Sequence, residues 1–216
     1  MAKPLVPGAL LVASFAAAAQ PVLVGVVLDF EQKPDPRFVG QLRQEVERIF
    51  RPAGIELRWE RRDEGQASRA YAMVVSFTLK GQCGAQRAEA PVEPPEGTVK
   101  LGWSLVAGGE VLPYSGVDCD QIARVAQSGA FQFPRNFRHV VYQRLAGRVV
   151  AHELVHVLLR TREHHATPLG RSPLNPASLG FDAALEPAEI AALRQLAKPG
   201  PERLIAGRGL FFGKPN

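Results

Sequence analysis

Residues 149–170, VVAHELVHVLLRTREHHATPLG, hold four of the chain's five histidines, and their reading decides how the rest of the sequence is understood. His152 and His156 bracket a glutamate in the pattern H-E-x-x-H. On an α-helix, residues four apart lie about 40° from each other around the axis and one turn along it. Both imidazoles then project side by side and can reach one ion at ~2.0–2.1 Å. Glu153 is rotated away from that ion, where it can act on a water without coordinating, as a general base must. The neighbours Val149, Val150, Leu154, Val155, Val157 and Leu158 are apolar. The pattern predicts a long buried helix, with Asn136 as its N-cap and its end near Thr161.

A catalytic zinc keeps three protein ligands and one open position. Glu186 and Glu189 are candidates for the third ligand, although their spacing also suits the start of a helix over EPAEIAALRQLA. His164 lies twelve residues after His152, in a polar stretch that should leave the helix, and is the preferred third ligand. His165 is its rival. His139 precedes His152 by thirteen residues. That places it about 220° around the helix, facing away. Tyr142 and Tyr114 are lesser candidates for stabilising an oxyanion, and packing is the simpler reading of both. Asp182 and Glu163 are lesser candidates still.

Outward from this segment, no internal repeat is visible. PVLVGVVLDF (21–30) is almost continuously apolar and β-branched, which predicts a strand buried on both faces. Apolar residues at Phe38, Leu42, Val46, Ile49 and Phe50 have helical spacing, and Pro52 and Gly54 stop that helix. GIELRWERR alternates from Ile55 to Trp59, as a half-exposed strand does. RAYAMVVSFTLKG reads as a third strand. Residues 82–98 are rich in Pro, Glu and Gly and read as a surface loop. A strand around Lys100–Val106 before Gly108-Gly109 suggests an edge strand or hairpin. DCDQIARVAQ reads as a short helix. The β-α-β-β order predicts an α/β (α+β) fold: a mixed twisted sheet, an N-terminal packing helix, the long H-E-x-x-H helix and a short C-terminal helix.

The chain has 216 residues, 46% of them apolar and 22% charged, with a net charge of +5. That is enough for one well-cored domain. The basic residues are scattered without interleaved aromatics, so nucleic acid is not an expected partner. Residues 1–19 read as a secretory signal peptide: an early Lys3, an apolar run from Leu5 to Phe15, then Ala17-Ala18-Ala19 before Gln20. The run is shorter than the ~20 residues of a membrane span. Residues 20–216 are then one domain, secreted or periplasmic, with no membrane span after cleavage. In an oxidising compartment Cys83 and Cys119 are expected to form a disulfide.

The segment GRVVAHELVHVLLRTREHHATPLG resembles the zinc-binding region of metzincin-like secreted bacterial metalloproteases. It does not follow the standard metzincin pattern, in which a glycine stands seven residues and a third histidine ten residues after the first; here those positions are Leu159 and Arg162. It is similar to a group whose third histidine comes twelve residues on. By that resemblance His152, His156 and His164 would hold Zn2+ and Glu153 would be the catalytic base. Val155 and Arg160 stand where that group has glycines, His165 where a small residue is common, and Gly170 where a methionine would be sought. The resemblance is sharp over about 25 residues and extends loosely to the strand-helix-strand order upstream.

Together these features lead to the expectation of a monomeric zinc metallopeptidase acting on proteins or peptides. Glu153 is the base, and the strand near Gly102–Val106 lines the cleft. The competing expectation is a catalytically impaired zincin-like binding module in which zinc is structural. Zinc-dependent hydrolysis of a non-peptide bond is a third.

Overall fold

A computed structural model describes residues 21–60, 71–84, 99–130, 133–164, 169 and 183–196. The expected signal peptide, His165, Gly170, Asp182, the side chain of His139 and most of the loop 82–98 lie outside the described residues. The elements in chain order are β1 (Val22–Phe30), α1 (Pro36–Phe50), β2 (Ile55–Glu60), β3 (Met73–Lys80), β4 (Gly102–Ala107), β5 (Glu110–Asp118), α2 (Cys119–Ala130), α3 (Arg135–Leu159) and α4 (Pro187–Gln195).

The strands form one sheet in the order β2-β1-β3-β5-β4. The first four run parallel and β4 is antiparallel to β5. This is the mixed α/β architecture expected. β1 lies between β2 and β3, but its side chains alternate: Val22, Val24, Val26 and Leu28 are buried while Leu23, Val27 and Asp29 are half-buried, so the burial expected on both faces is complete on one only. On β3, Val75, Phe77 and Leu79 are buried while Thr78 and Lys80 are exposed, so one sheet face is packed. The buried apolar side chains of the described residues form one cluster.

Local signals place the helices. Asp35 caps α1 by accepting from the Arg37 N–H at 2.8 Å, and Pro36 begins it. A short 3₁₀ turn at Arg51–Ala53 ends on Gly54, whose φ of 72° suits glycine. α3 begins at Arg135 behind Pro134, one residue before the expected cap Asn136, which lies inside the helix. Pro134 presets the entry to the first turn and bears no side-chain cap. α3 touches α1, α2, β4 and β5 and is buried on nearly every side from Leu145 to Leu158. It is the central rod of the described molecule.

The hairpin suggested about Gly108-Gly109 forms as β4 and β5, and two further features were not visible in the sequence: the continuation of β5 to Asp118 and an ion pair between α1 and α3. Strand β5 carries Pro113 and Gly116, residues that argue against a strand. Pairing to β3 starts only at Tyr114, and the β4–β5 register shifts between Ser104 and Val106, so Pro113 sits where neither ladder needs its missing N–H. Gly116 lies under the Trp103 ring, where a Cβ would meet ring atoms at 2.0 Å. The second feature is a buried ion pair between α1 and α3. Gly147 lets the helices approach, because a Cβ there would lie 2.8 Å from Glu45. One residue on, Arg148 Nε donates to Glu45 Oε1 at 3.2 Å, and Arg48 donates to the same carboxylate at 2.9 Å. The expected disulfide is present: Cys83 and Cys119 join the end of β3 to the start of α2.

Candidate metal centre

His152 and His156 lie on the last two turns of α3, buried among its apolar neighbours. His152 Nδ1 is 2.7 Å from the Leu169 carbonyl, and His156 Nδ1 is 2.8 Å from the Thr161 carbonyl. A carbonyl only accepts, so each Nδ1 carries a ring proton, and in a neutral ring the Nε2 then presents a lone pair. Those two Nε2 atoms face each other at 3.0 Å. Two unprotonated nitrogens so placed repel unless a cation sits between them. On a tetrahedral ion at 2.0–2.1 Å they would stand roughly 3.3 Å apart, close to what is found. Burial pushes the His152 pKa down to about 4 against the pull of the Leu169 carbonyl, and the neighbouring His156 and His164 lower it further. Its ring is neutral at ordinary pH, the form a metal requires.

The turn that follows α3 brings in the third histidine. Arg160 adopts the left-handed conformation, φ 51° and ψ 38°, the usual conformation of a helix-ending glycine. This reverses the chain. The Thr161 N–H donates to the His156 carbonyl at 3.1 Å while the Thr161 carbonyl receives the His156 ring. His164 then lies with its ring 5.1 Å from His152 and 4.9 Å from His156, centroid to centroid. One ring nitrogen from each of the three lies within 4.8 Å of the others, the only such group among the described residues. His164 is exposed, so the cluster opens to solvent on that side. The donor set fits a cation with a preference for imidazole.

Glu153 is buried beside this cluster and outside it. Ser104 Oγ on β4 lies 2.7 Å from Glu153 Oε2, and Ser115 Oγ on β5 lies 3.1 Å behind Ser104. Burial raises the Glu153 pKa to about 7, while the Ser104 hydrogen bond and the charge of Lys100 pull it down. Such a carboxyl can hold or release a proton near neutrality. Gly102 permits the contact, because a Cβ there would lie 2.9 Å from Glu153 Oε1 and 2.8 Å from Val149 Cγ1.

The remaining candidates sit elsewhere. Glu186 and Glu189 form a reciprocal capping box at the start of α4, as their spacing suggested, with the Glu186 N–H donating to Glu189 Oε2 at 2.7 Å. Tyr142 packs on Phe38 with ring centroids 5.0 Å apart, and its hydroxyl lies 3.3 Å from the Gln82 carbonyl. Burial raises its pKa above the ordinary tyrosine range, as befits a packing residue. Tyr114 pairs with Ser76 on the sheet face opposite Ser115, away from Glu153. Glu163 is exposed, and its N–H donates to Thr161 Oγ1. The strand near Gly102–Val106 was expected beside the site, but the particular contacts of Gly102, Ser104 and Ser115 with Glu153 and with each other were not. Alternation along β4 puts Gly102 and Ser104 on one face, but which face meets α3 depends on the fold.

No protein-family model, no curated protein and no solved structure matches this chain.

Proposed function

We propose that this protein is an extracytoplasmic zinc-dependent metallopeptidase of metzincin-like build. The observation that carries the reading is the three-histidine cluster, in which two rings are locked by backbone carbonyls with their Nε2 lone pairs converging. His152, His156 and His164 would hold the ion. When bound, zinc supplies Lewis acidity that polarises a scissile carbonyl and brings the pKa of a water toward ~7. Glu153, poised near neutrality, takes the proton of the attacking water and passes it to the leaving amine.

Among the described residues three histidines and no fourth ligand converge, which favours a site with an open position over a structural one closed by four protein ligands. Among the described residues β4 is the last strand of the sheet on this side, with Leu105 and Val106 exposed. Its free edge can pair with the main chain of an extended peptide beside Glu153. The disulfide suits an oxidising compartment, and no helix among the described residues is long and apolar enough to cross a membrane.

A chelator-sensitive cleavage assay on a broad peptide library tests the reading. Wild type should cut, and Glu153→Gln should not while keeping its zinc. Zinc-loaded, correctly processed protein that cuts nothing would favour a binding module.

A further inference from the structure

Glu153 is next in sequence to a histidine of the cluster, yet it does not join the cluster. Its Oε2 meets Ser104 Oγ at 2.7 Å, a short hydroxyl–carboxylate distance. A serine hydroxyl has one proton. Spent on the carboxylate, that proton leaves Ser104 able only to accept from Ser115, whose Oγ lies at 3.1 Å and which is itself buried. With Glu153 ionised, the two hydroxyls form a chain with one direction, Ser115 to Ser104 to Glu153, in which each bond polarises the next. Both serines come from the sheet, and the carboxylate comes from α3. Ser115 also stands opposite Phe77 in the β3 ladder, so the chain is anchored in the core rather than at a loop. Gly102 keeps Cβ out of the space that Oε1 occupies.

We infer that Ser104, backed by Ser115, is a positioning residue that holds the Glu153 carboxylate on the β4 side of α3, beside the ion site and outside its ligand set. A carboxylate free to swing would compete for the open ligand position and would cease to be a base. The catalytic consequence rests on the proposed peptidase reading; the placement of the carboxylate does not.

The test loads the purified chain with Co2+ alone and reads its visible d–d bands. Glu153→Gln should leave the bands unchanged, because the carboxylate is not a ligand. Ser104→Ala should shift them as the released carboxylate moves relative to the ion, and the double variant Ser104→Ala/Glu153→Gln should abolish the shift. Ser104→Thr, which keeps the hydroxyl, should match wild type. If Ser104→Ala does not fold, Ser115→Ala provides the same comparison from one hydroxyl further back. Unchanged bands in the folded serine variant, or a shift that persists without Glu153, would overturn the inference. A second arm uses zinc and fluorescein-labelled casein. There Ser104→Ala should lower kcat by about 10- to 100-fold with KM unchanged, and Ser104→Thr should restore it. Wild type that leaves casein uncut counts against the peptidase reading, and the cobalt arm still decides the placement.

Discussion

Two glutamates at α3 are each 6% exposed, and their chemistry diverges. Glu45, from α1, faces two guanidinium groups, Arg148 at 3.2 Å and Arg48 at 2.9 Å. Burial pushes its pKa up, but the hydrogen bonds and charges of Arg48 and Arg148 win, and it sits below the ordinary glutamate range. Glu153 has a serine hydroxyl in place of a guanidinium, and burial carries it up to about 7. Their surface exposure is equal, yet Glu153 lies deeper and loses more solvation, and the difference in partner acts in the same direction. A cation keeps a buried carboxylate charged and makes it part of the framework; a hydroxyl leaves it able to trade a proton. The places of the two glutamates on α3, Arg148 for the Glu45 pair and Glu153 itself, are five residues or about a turn and a half apart.

The largest expected effect separates the two roles. Glu153→Gln should cut peptide hydrolysis by about 10²–10⁴-fold with little change in the urea midpoint, whereas Glu45→Gln should do the reverse. Activity that survives Glu153→Gln would erase the distinction. Next in size, Arg148→Ala should cost about 1.5–3 kcal/mol in urea unfolding, because it removes one of the two guanidinium groups on the buried Glu45 carboxylate and leaves Arg48. Replacing Glu45 and Arg148 together by leucine should recover most of that loss, and a cost that persists would place the stabilisation elsewhere.

The pH dependence of Glu45 follows from the direction of its shift. Its folded pKa is lowered, so its stabilisation is present above the unfolded value of about 4.3 and is lost as the pH falls through the lower folded value. The stability gap between wild type and Glu45→Gln should therefore be full at pH 7 and close below about pH 4. A gap independent of pH would contradict the ion pair. The smallest effect concerns the turn that carries the third histidine. Arg160→Gly should raise stability by about 1 kcal/mol, since a side chain at φ 51° is strained there; a lower Tm would contradict that geometry.

What was legible in the sequence was whatever repeats with a short period. His152 and His156 follow the helical turn and Glu186 with Glu189 reads as a capping box, because each signal lies within a few residues. β1 was legible as a strand, although only one of its faces is fully buried. Spacing alone brought His164 forward, and the fold sets it beside the other two. The glycine missing at Arg160 pointed to a departure from the related motif, yet the backbone keeps the left-handed turn with an arginine in it. The hairpin about Gly108-Gly109 was legible, but the continuation of β5 was hidden because Pro113 and Gly116 are tolerated only through a register shift and a tryptophan ring packed across the strand. The partners of the two glutamates were hidden for a different reason. Ser104 and Glu153 are 49 residues apart, and Glu45 and Arg148 are 103 apart. No local pattern encodes contacts that only the packing of α3 on the sheet and on α1 creates.

The central claim is that His152, His156 and His164 hold one zinc ion. The most direct measurement is the metal content of the purified mature protein by elemental analysis, for wild type and for His164→Ala, His165→Ala and Glu153→Gln. The account expects about one zinc per chain in wild type, retained in His165→Ala and Glu153→Gln and lost or greatly weakened in His164→Ala. A wild-type protein without zinc, or zinc held equally well after His164→Ala, would contradict it.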